Sequence, residues 1–354
     1  MPALRQVLSK VDDYPAFLEA CWQEHLAPRA DDAPTVISTF AGAGGSSLGY
    51  SMAGFRELLA VEWDDNAVAT FKLNFPDVPV YHGDIAKLTV DEVLSMTGLQ
   101  PGQLDVFDGS PPCQGFSTAG KRMIDDPRNQ LFREYVRLLR GLQPKVFVME
   151  NVSGMVKGKM KLVFVDILRE LKASGYQVSA RLLNAMYFGV PQSRERMIFV
   201  GVRNDLNKAP SHPQAWSVPV TVGAAWDGCT DTVPIMSLGW LVDYVEHWPA
   251  GTGLGAKAIK RRPDLGKFGQ HGNANKRLSF NSPSNTTSKL FSASKLIHPA
   301  ENRVISLQEL CRIGSIPDGF RFVGARDAAA RIGNSVPPLF MRSIAQHIRR
   351  EILE

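Results

Sequence analysis

The sequence predicts a doubly wound α/β fold, in which helices cover both faces of a parallel sheet. Between residues 36 and 202, short apolar runs alternate with longer mixed segments, a rhythm typical of repeated strand–helix units. After residue 202 this alternation stops, and residues 205–300 are rich in Gly, Pro, Ser, Thr and Asn. We therefore expect one α/β domain with a small, irregular domain inserted before its C-terminal end.

The predicted strands are short apolar runs bounded by polar residues. In chain order they read VISTF, ELLAVE, VPVY, LDVFD, KVFVME and MIFVGV. Apolar residues at helical spacing predict helices over residues 65–74, 129–141, 163–174, 306–313 and 338–352. The expected divisions are a helical lead-in at 1–33, a main domain at 34–204, the inserted domain at 205–300 and a return to the main domain at 301–354.

The composition of the 354 residues is that of a globular protein, with 44% hydrophobic and 21% charged residues. The first thirteen residues, MPALRQVLSKVDD, lack the apolar run of a secretory signal. The uncharged stretch at residues 209–226 is broken by prolines and polar residues, so we expect no membrane span. The four cysteines include no CxxC pair, so we expect neither a metal site nor disulfides, but a cytoplasmic protein with reduced thiols.

Positive charge is concentrated in the inserted domain. Residues 205–300 hold ten Lys or Arg and six Asp or Glu, which accounts for most of the net charge of +5. A flexible basic segment of this kind suits contact with phosphates, although many basic runs are simply solvated surface. The charge distribution therefore favours an anionic partner such as nucleic acid.

A glycine-rich loop follows the first predicted strand, in STFAGAGGSSLG (38–49). Gly42 and Gly44 would let the backbone approach a ligand, and Glu62, at the end of the next strand, could accept hydrogen bonds from ribose. Trp63 could stack on an adenine, and Asp84 could accept from its amino group. Ser47 stands where a dinucleotide fingerprint needs a third small residue, so a nucleoside without phosphates fits better than a dinucleotide. A purely structural turn is the remaining alternative.

The segment DGSPPCQGFS places Cys113 just after a predicted strand, behind two stiffening prolines. A thiol at the carboxyl end of a parallel strand points into the ligand crevice, which favours a reactive cysteine over a structural one. Glu150 ends the next strand, where it would be a helix cap, a buried ion-pair partner or a functional group. Arg194 and Arg196 alternate before the last strand, so we expect them to share a face and one of them to pair with Glu150. An exposed edge strand is the alternative.

Together these motifs resemble those of the bacterial and phage DNA cytosine carbon-5 methyltransferases of restriction–modification systems. The fragments, in order, are FAGAGG, GSPPCQGFS, MENV, QSRER, RVISLQELCRIGSIPDGF and RIGNSVPP. The resemblance covers about residues 35–202 and 303–354, and it implies the Rossmann-like fold of AdoMet-dependent methyltransferases. The family often has Asp where this chain has Ser38. Asn285 and Thr286 weakly resemble the threonine motif that closes the family's recognition domain.

The resemblance implies residue roles at this chain's own positions. The implied catalytic residues are the nucleophile Cys113, the acid Glu150, and the base-contacting Arg194 and Arg196. The implied contacts to S-adenosyl-L-methionine (AdoMet), which leaves as S-adenosyl-L-homocysteine, are Phe40, Ala41, Gly42, Gly44, Glu62, Trp63, Asp84, Ile85, Pro112, Asn334 and Ser335. The candidate DNA contacts are Gln114, Ser117, Lys121, Arg122, Lys260, Arg261, Arg262, Lys276 and Arg277.

The implied substrate is cytosine in double-stranded DNA, which must be flipped out of the stack before its carbon 6 is accessible. We expect a monomer associated with the nucleoid, and a cognate restriction endonuclease would be a natural further partner. A tRNA cytosine methyltransferase could use the same catalytic set, and a non-catalytic binder or a nicotinamide-dependent oxidoreductase could share parts of it. The basic insert and the intact Cys113 and Glu150 favour the DNA enzyme.

Overall fold

The computed structural model describes residues 8–112, 130–156, 160–246, 248–253 and 275–354. By contacts the chain divides into two compact units. The sheet unit comprises Glu24–Asn184, Glu195–Gln214 and Met341–Glu354, and the insert unit comprises Met1–Gln23, Ala185–Arg194 and Ala215–Phe340. Residues 185–194 and 301–340 thus group with the insert, so the contact units and the divisions expected from the sequence do not coincide.

The strands are short and, in the sheet unit, mostly buried. Through residue 203 they are β1 (Thr35–Thr39), β2 (Arg56–Glu62), β3 (Val80–His82), β4 (Val106–Gly109), β5 (Val146–Val152), β6 (Tyr176–Asn184), β7 (Gln192–Ser193) and β8 (Glu195–Arg203). In the described ranges, seven of them form one sheet in the order β3-β2-β1-β4-β5-β8-β6. The predicted doubly wound α/β class is confirmed.

Two strands of this sheet differ from the sequence prediction, β8 by its direction and β6 because it was not predicted. β8 runs antiparallel to both β5 and β6, whereas the five strands from β3 to β5 are parallel. β6 was not among the predicted strands, because it lies at the sheet edge and most of its side chains are only partly buried or exposed. An edge strand lacks the continuous apolar run by which buried strands are recognised.

In the part of the chain described, one helix lies in the N-terminal lead-in, and five more alternate with the strands of the sheet. They are α1 (Tyr14–Leu26), α2 (Gly45–Met52), α3 (Asp65–Asn74), α4 (Val90–Thr97), α5 (Gln130–Leu142) and α6 (Met160–Ala173). The predicted bounds of α3, residues 65–74, are confirmed at both ends. Asp64 caps its N-terminus by accepting from the Ala67 N–H at 2.9 Å. α5 buries Phe132, Tyr135 and its neighbours in a core that also contains Phe107 of β4 and Phe147 of β5.

The insert unit is held together by short elements. They are β9 (Lys276–Arg277), β10 (Ser284–Asn285), β11 (Leu296–Ile297), α7 (Val222–Ala225), α8 (Val242–Val245), α9 (Leu307–Ile313) and α10 (Ala325–Asn334). β7 pairs with β10, and β9 pairs with β11. The last helix, α11 (Pro338–Ile348), leads into residues 341–354 of the sheet unit. No helix in the described ranges has the length and apolar character needed to cross a membrane.

Candidate active site

The glycine loop between β1 and α2 takes backbone conformations that open one side of it to a ligand. Phe40, Gly42 and Gly44 all have positive φ, at 55°, 57° and 95°. A Cβ on Gly44 would lie 2.5 Å from the Phe75 ring, so only glycine fits there. A Cβ on Gly42 would meet nothing within 4 Å, which leaves that side of the loop unobstructed. Ala41 is fixed by its N–H, which donates to the Val61 carbonyl at 3.1 Å.

Glu62 organises this loop from the end of β2. One carboxylate oxygen accepts from the Gly42 N–H at 2.8 Å, and the other accepts from the N–H groups of Trp63 at 2.8 Å and Asp64 at 2.9 Å. An ionised carboxylate offers about four acceptor positions. Three are therefore occupied by the backbone, and about one remains for a ligand hydroxyl.

The other predicted cofactor residues are distributed around Glu62 or lie in the insert unit. The Trp63 side chain is 76% exposed, so its ring is available for stacking. Asp84 is exposed and accepts from the Ala86 N–H, whereas Ile85 is buried in the core. In the insert unit, exposed Asn334 ends α10 and half-buried Ser335 caps it. An open glycine turn, a ribose-type acceptor and an exposed indole fit the nucleoside end of AdoMet.

We expect Glu62→Gln to weaken S-adenosyl-L-homocysteine binding at least tenfold, a loss of about 1.4 kcal/mol. Glutamine replaces one acceptor oxygen with a donor NH₂ group. Both Glu62 oxygens accept from backbone N–H groups, so this NH₂ must face another donor, either at Gly42 or at Trp63 and Asp64. Titration calorimetry measures the change, with exposed Glu19→Gln as the matched control. Unchanged affinity would mean that Glu62 does not organise a cofactor site.

Glu150 and Arg196 form an ion pair at the end of β5. In the antiparallel pairing Glu150 faces Ile198, so Arg196, two residues before Ile198, projects from the same face of the sheet. The Arg196 Nε lies 2.5 Å from a Glu150 oxygen, and both side chains are largely buried. The pair places a carboxyl group beside a fixed hydrogen-bond donor, an arrangement that can bind the polar edge of a planar ring.

The next residue joins β5 to the segment that leads to the predicted nucleophile. The Asn151 side chain donates to the Pro111 carbonyl at 3.1 Å, and its oxygen accepts from the Val152 N–H at 2.8 Å. Pro112 is exposed, and Cys113 lies outside the described residues. This hydrogen bond therefore fixes Pro111, two residues before Cys113, against the strand that carries Glu150.

Arg194 does not share a strand with Arg196, and the expectation that both project from one face is wrong. Arg194 falls between β7 and β8, and it belongs to the insert unit while Arg196 belongs to the sheet unit. Its guanidinium is buried and donates to the carbonyls of Thr287 and Gly333. The alternating QSRER pattern predicted one continuous strand, but the backbone changes sheets at this arginine.

Arg277 also differs from the sequence expectation of a DNA contact. It is 7% exposed, and its guanidinium donates to main-chain carbonyls that include those of Val245, Trp248 and His298. Its side chain therefore holds the insert together and does not face solvent. Lys276 beside it is partly exposed. The other candidate DNA contacts lie outside the described residues: Gln114, Ser117, Lys121, Arg122, Lys260, Arg261 and Arg262.

Two buried carboxyls beneath the loop were missed by the sequence analysis. Asp108, in β4, accepts from the Tyr50 hydroxyl at 3.3 Å, and Glu57, in β2, accepts from the Ser47 hydroxyl at 2.8 Å. Burial raises the pKa of Asp108 to about 7 and that of Glu57 to about 8. In the sequence, the signals were acidic residues at the ends of apolar runs, since Asp108 ends LDVFD and Glu57 begins ELLAVE. A carboxyl beside a buried run suggests a neutral or paired group.

Glu57 should make the protein less stable as pH rises. Its pKa is raised from 4.5 to about 8 by burial, so between these values the unfolded chain loses a proton that the folded chain keeps. Its contribution to unfolding free energy then falls by up to about 1.4 kcal/mol per pH unit across that window. Chemical unfolding at pH 5, 6, 7 and 8 should show Glu57→Gln gaining stability over the wild type as pH rises. The exposed substitution Glu19→Gln should run parallel to the wild type, and a parallel Glu57→Gln curve would refute the assignment.

Comparison with known proteins gives concordant results. The model of the C-5 cytosine-specific DNA methylase family matches residues 34–350. The type II methyltransferase M1.HphI of Haemophilus parahaemolyticus is 34% identical, over 89% of this chain and 86% of the relative. M.XorII of Xanthomonas oryzae pv. oryzae is 33% identical, over 90% and 85%. The crystal structure of a DNA modification methyltransferase encoded within an E. coli prophage has a TM-score of 0.71 at 28% identity, covering 91% of this chain and all of that one.

These matches agree with the geometry of the sheet unit. A loop and acceptor that fit a nucleoside lie in the same unit as the Glu150–Arg196 pair. The family match spans nearly the whole chain, and both curated relatives exceed 30% identity over most of it. The chain therefore belongs to the C-5 cytosine-specific DNA methylases of type II restriction–modification systems, enzymes that depend on AdoMet.

Proposed function

We propose that the protein methylates carbon 5 of a cytosine that is flipped out of a specific duplex DNA sequence, through a covalent bond between Cys113 and carbon 6. The observation that carries this proposal is the buried Glu150–Arg196 pair, joined through Asn151 to the segment that leads into Cys113. An acid, a hydrogen-bond donor and a thiol form the set that activation of a cytosine ring requires, and the first two are the Glu150–Arg196 pair.

The loop residues account for cofactor binding. Gly42 and Gly44 would border the ligand, Glu62 would accept from a ribose hydroxyl, and Trp63 would cover the adenine. Asn334 and Ser335 are assigned to the cofactor by family resemblance. When bound, AdoMet supplies an electrophilic methyl group, which the activated carbon 5 attacks.

The reaction begins at the thiol. A Cys113 thiolate adds to carbon 6 of cytosine, and the ring electrons move toward carbon 5 and the ring nitrogen. Glu150 would hold a proton at that nitrogen, while Arg196 would donate to the base oxygen and keep Glu150 oriented. After methylation, carbon 5 loses its proton to water or hydroxide, and the Cys113 thiolate leaves carbon 6. The thiolate is regenerated, so the protein's residues return to their starting states.

DNA contact is proposed mainly through residues of two basic segments. These are Gln114, Ser117, Lys121 and Arg122 after the nucleophile, and Lys260, Arg261, Arg262 and Lys276 in the insert. The burial of Arg277 removes it from this set. We further propose a monomer that acts in the cytoplasm on nucleoid DNA, with a cognate restriction endonuclease that cuts the unmethylated site. The names of the type II relatives support the last point.

The proposal is tested by identifying both the acceptor and its sequence context. Bisulfite sequencing of DNA from cells that express the chain should show 5-methylcytosine in one recurring context. In vitro, tritium from labelled AdoMet should then pass to duplex DNA carrying that context and not to tRNA. Transfer to tRNA alone would replace DNA with RNA as the substrate.

A further inference from the structure

Three segments that are distant in sequence meet at one buried polar cluster in the insert unit. We call it the Arg194 junction, and it consists of Gln192, Arg194, Thr287 and Gly333. β7 pairs with β10 through Gln192–Ser284 and Ser193–Asn285. The Gln192 amide also donates to the Thr287 hydroxyl at 3.1 Å. The cluster therefore connects the segment before β8, residues 286–289 and the end of α10. Residues 286–289 end the part of the inserted domain that we propose contacts DNA, which we call the recognition segment (residues 205–289).

Arg194 bridges two of these segments directly. One guanidinium nitrogen donates to the Thr287 carbonyl at 3.1 Å, and another donates to the Gly333 carbonyl at 3.0 Å. The residue is 1% exposed and is the largest fully buried side chain among those described. A planar guanidinium can hold two acceptors in fixed directions at once, which a lysine ammonium on a flexible stem does less well.

Close packing at Gly333 reinforces the bridge. A Cβ on this glycine would lie 2.3 Å from the Ser288 carbonyl oxygen and 2.6 Å from the Lys289 nitrogen. Both atoms are main-chain atoms, so they could not move aside as a flexible side chain could. Residues 287–289 and the end of α10 therefore share one fixed arrangement, and a shift of one segment must move the other.

We infer that Arg194 is a positioning residue, which couples DNA binding by the recognition segment to cofactor binding by Asn334 and Ser335. The inference rests on the proposed function, because it takes the cofactor role of these two residues from that proposal. Asn334 follows Gly333 directly, and Thr286 precedes Thr287 and donates to the Ser193 carbonyl at 2.6 Å. DNA that orders residues 286–289 would thereby also order the cofactor-binding end of α10, so bound DNA would raise the affinity for the cofactor. Because such coupling is reciprocal, bound cofactor would raise the affinity for DNA by the same factor.

The test measures how much DNA tightens the binding of S-adenosyl-L-homocysteine, which requires no turnover. The DNA is a duplex with the context found by bisulfite sequencing. The proteins are the wild type, Arg194→Lys, Gly333→Ala and the control Gly253→Ala, where an added Cβ meets its nearest atom at 3.9 Å. Gly333→Ala disturbs the same junction by steric contact and keeps the Arg194 charge in place. It therefore decides the test if Arg194→Lys does not fold. Thermal melting establishes folding for each.

In the wild type and in Gly253→Ala, we expect DNA to tighten the binding of S-adenosyl-L-homocysteine at least fivefold. Coupled sites usually show a factor of about 5–150. In Arg194→Lys and Gly333→Ala the factor should fall below about twofold, and KM for AdoMet should rise by more than kcat falls. The inference is overturned if folded variants keep the wild-type factor, or if the wild type shows none. It is also overturned if Arg194→Lys lowers kcat with the coupling intact, since Arg194 would then act on the base. A wild type that methylates no DNA would instead contradict the proposed function.

Discussion

Replacing Cys113 with alanine is expected to reduce methyl transfer to DNA below detection, a loss of at least about a thousandfold. Carbon 5 of cytosine is a poor nucleophile until a thiolate adds at carbon 6, and alanine offers no group for that addition. Tritium transfer from labelled AdoMet measures the rate, while calorimetry with S-adenosyl-L-homocysteine should show cofactor binding largely retained.

The matched control for this change is Cys229→Ala. Burial raises the pKa of the Cys229 thiol to about 11, so this half-buried residue stays protonated at neutral pH and is a poor nucleophile. The control variant should transfer methyl groups at close to the wild-type rate. Retained turnover in Cys113→Ala would exclude the covalent route.

Glu150→Gln should reduce the rate of methyl transfer by about 100-fold or more, which is the usual contribution of a positioned acid. Glutamine preserves the shape of the side chain but cannot supply a proton to the ring nitrogen. It also leaves the buried Arg196 guanidinium without the carboxylate that lies 2.5 Å away. Single-turnover kinetics with saturating DNA and AdoMet isolate this effect from substrate binding.

Glu195→Gln is the matched control, because Glu195 is an exposed carboxyl beside Arg196 on the same strand. It should leave the single-turnover rate within about twofold of the wild type. If Glu150→Gln kept more than a tenth of the wild-type rate, Glu150 would not be the proton donor, and the ion pair would be purely structural.

Local patterns were enough to predict much of the sheet unit. The spacing from Gly42 to Glu62 predicted that these two residues serve one site, and the structure joins them by a hydrogen bond. That this site binds a ligand stays a prediction. The pairing of Glu150 with an arginine of the QSRER segment was also confirmed, with Arg196 as the partner. These predictions succeeded because residues at the carboxyl ends of neighbouring strands converge by the topology of the fold alone.

The insert could not be predicted in the same way. Arg277 lies in a basic sequence that is typical of surface, yet carbonyls supplied by residues 245–299 surround its guanidinium. Arg194 is buried because segments about 90 and 140 residues away contribute the carbonyls that it binds. Whether an arginine meets solvent or main-chain oxygens is decided by such distant contacts, which leave no periodic signal in the sequence.

The central claim is that Cys113 bonds to carbon 6 of the target cytosine. It is tested most directly by incubating the protein and AdoMet with a duplex that carries 5-fluorocytosine at the target position. The fluorine cannot leave as a proton does, so the covalent adduct should accumulate, survive denaturation and map by mass spectrometry to the peptide that contains Cys113. An enzyme that methylates the normal duplex yet forms no adduct, or forms it at another residue, would contradict the account.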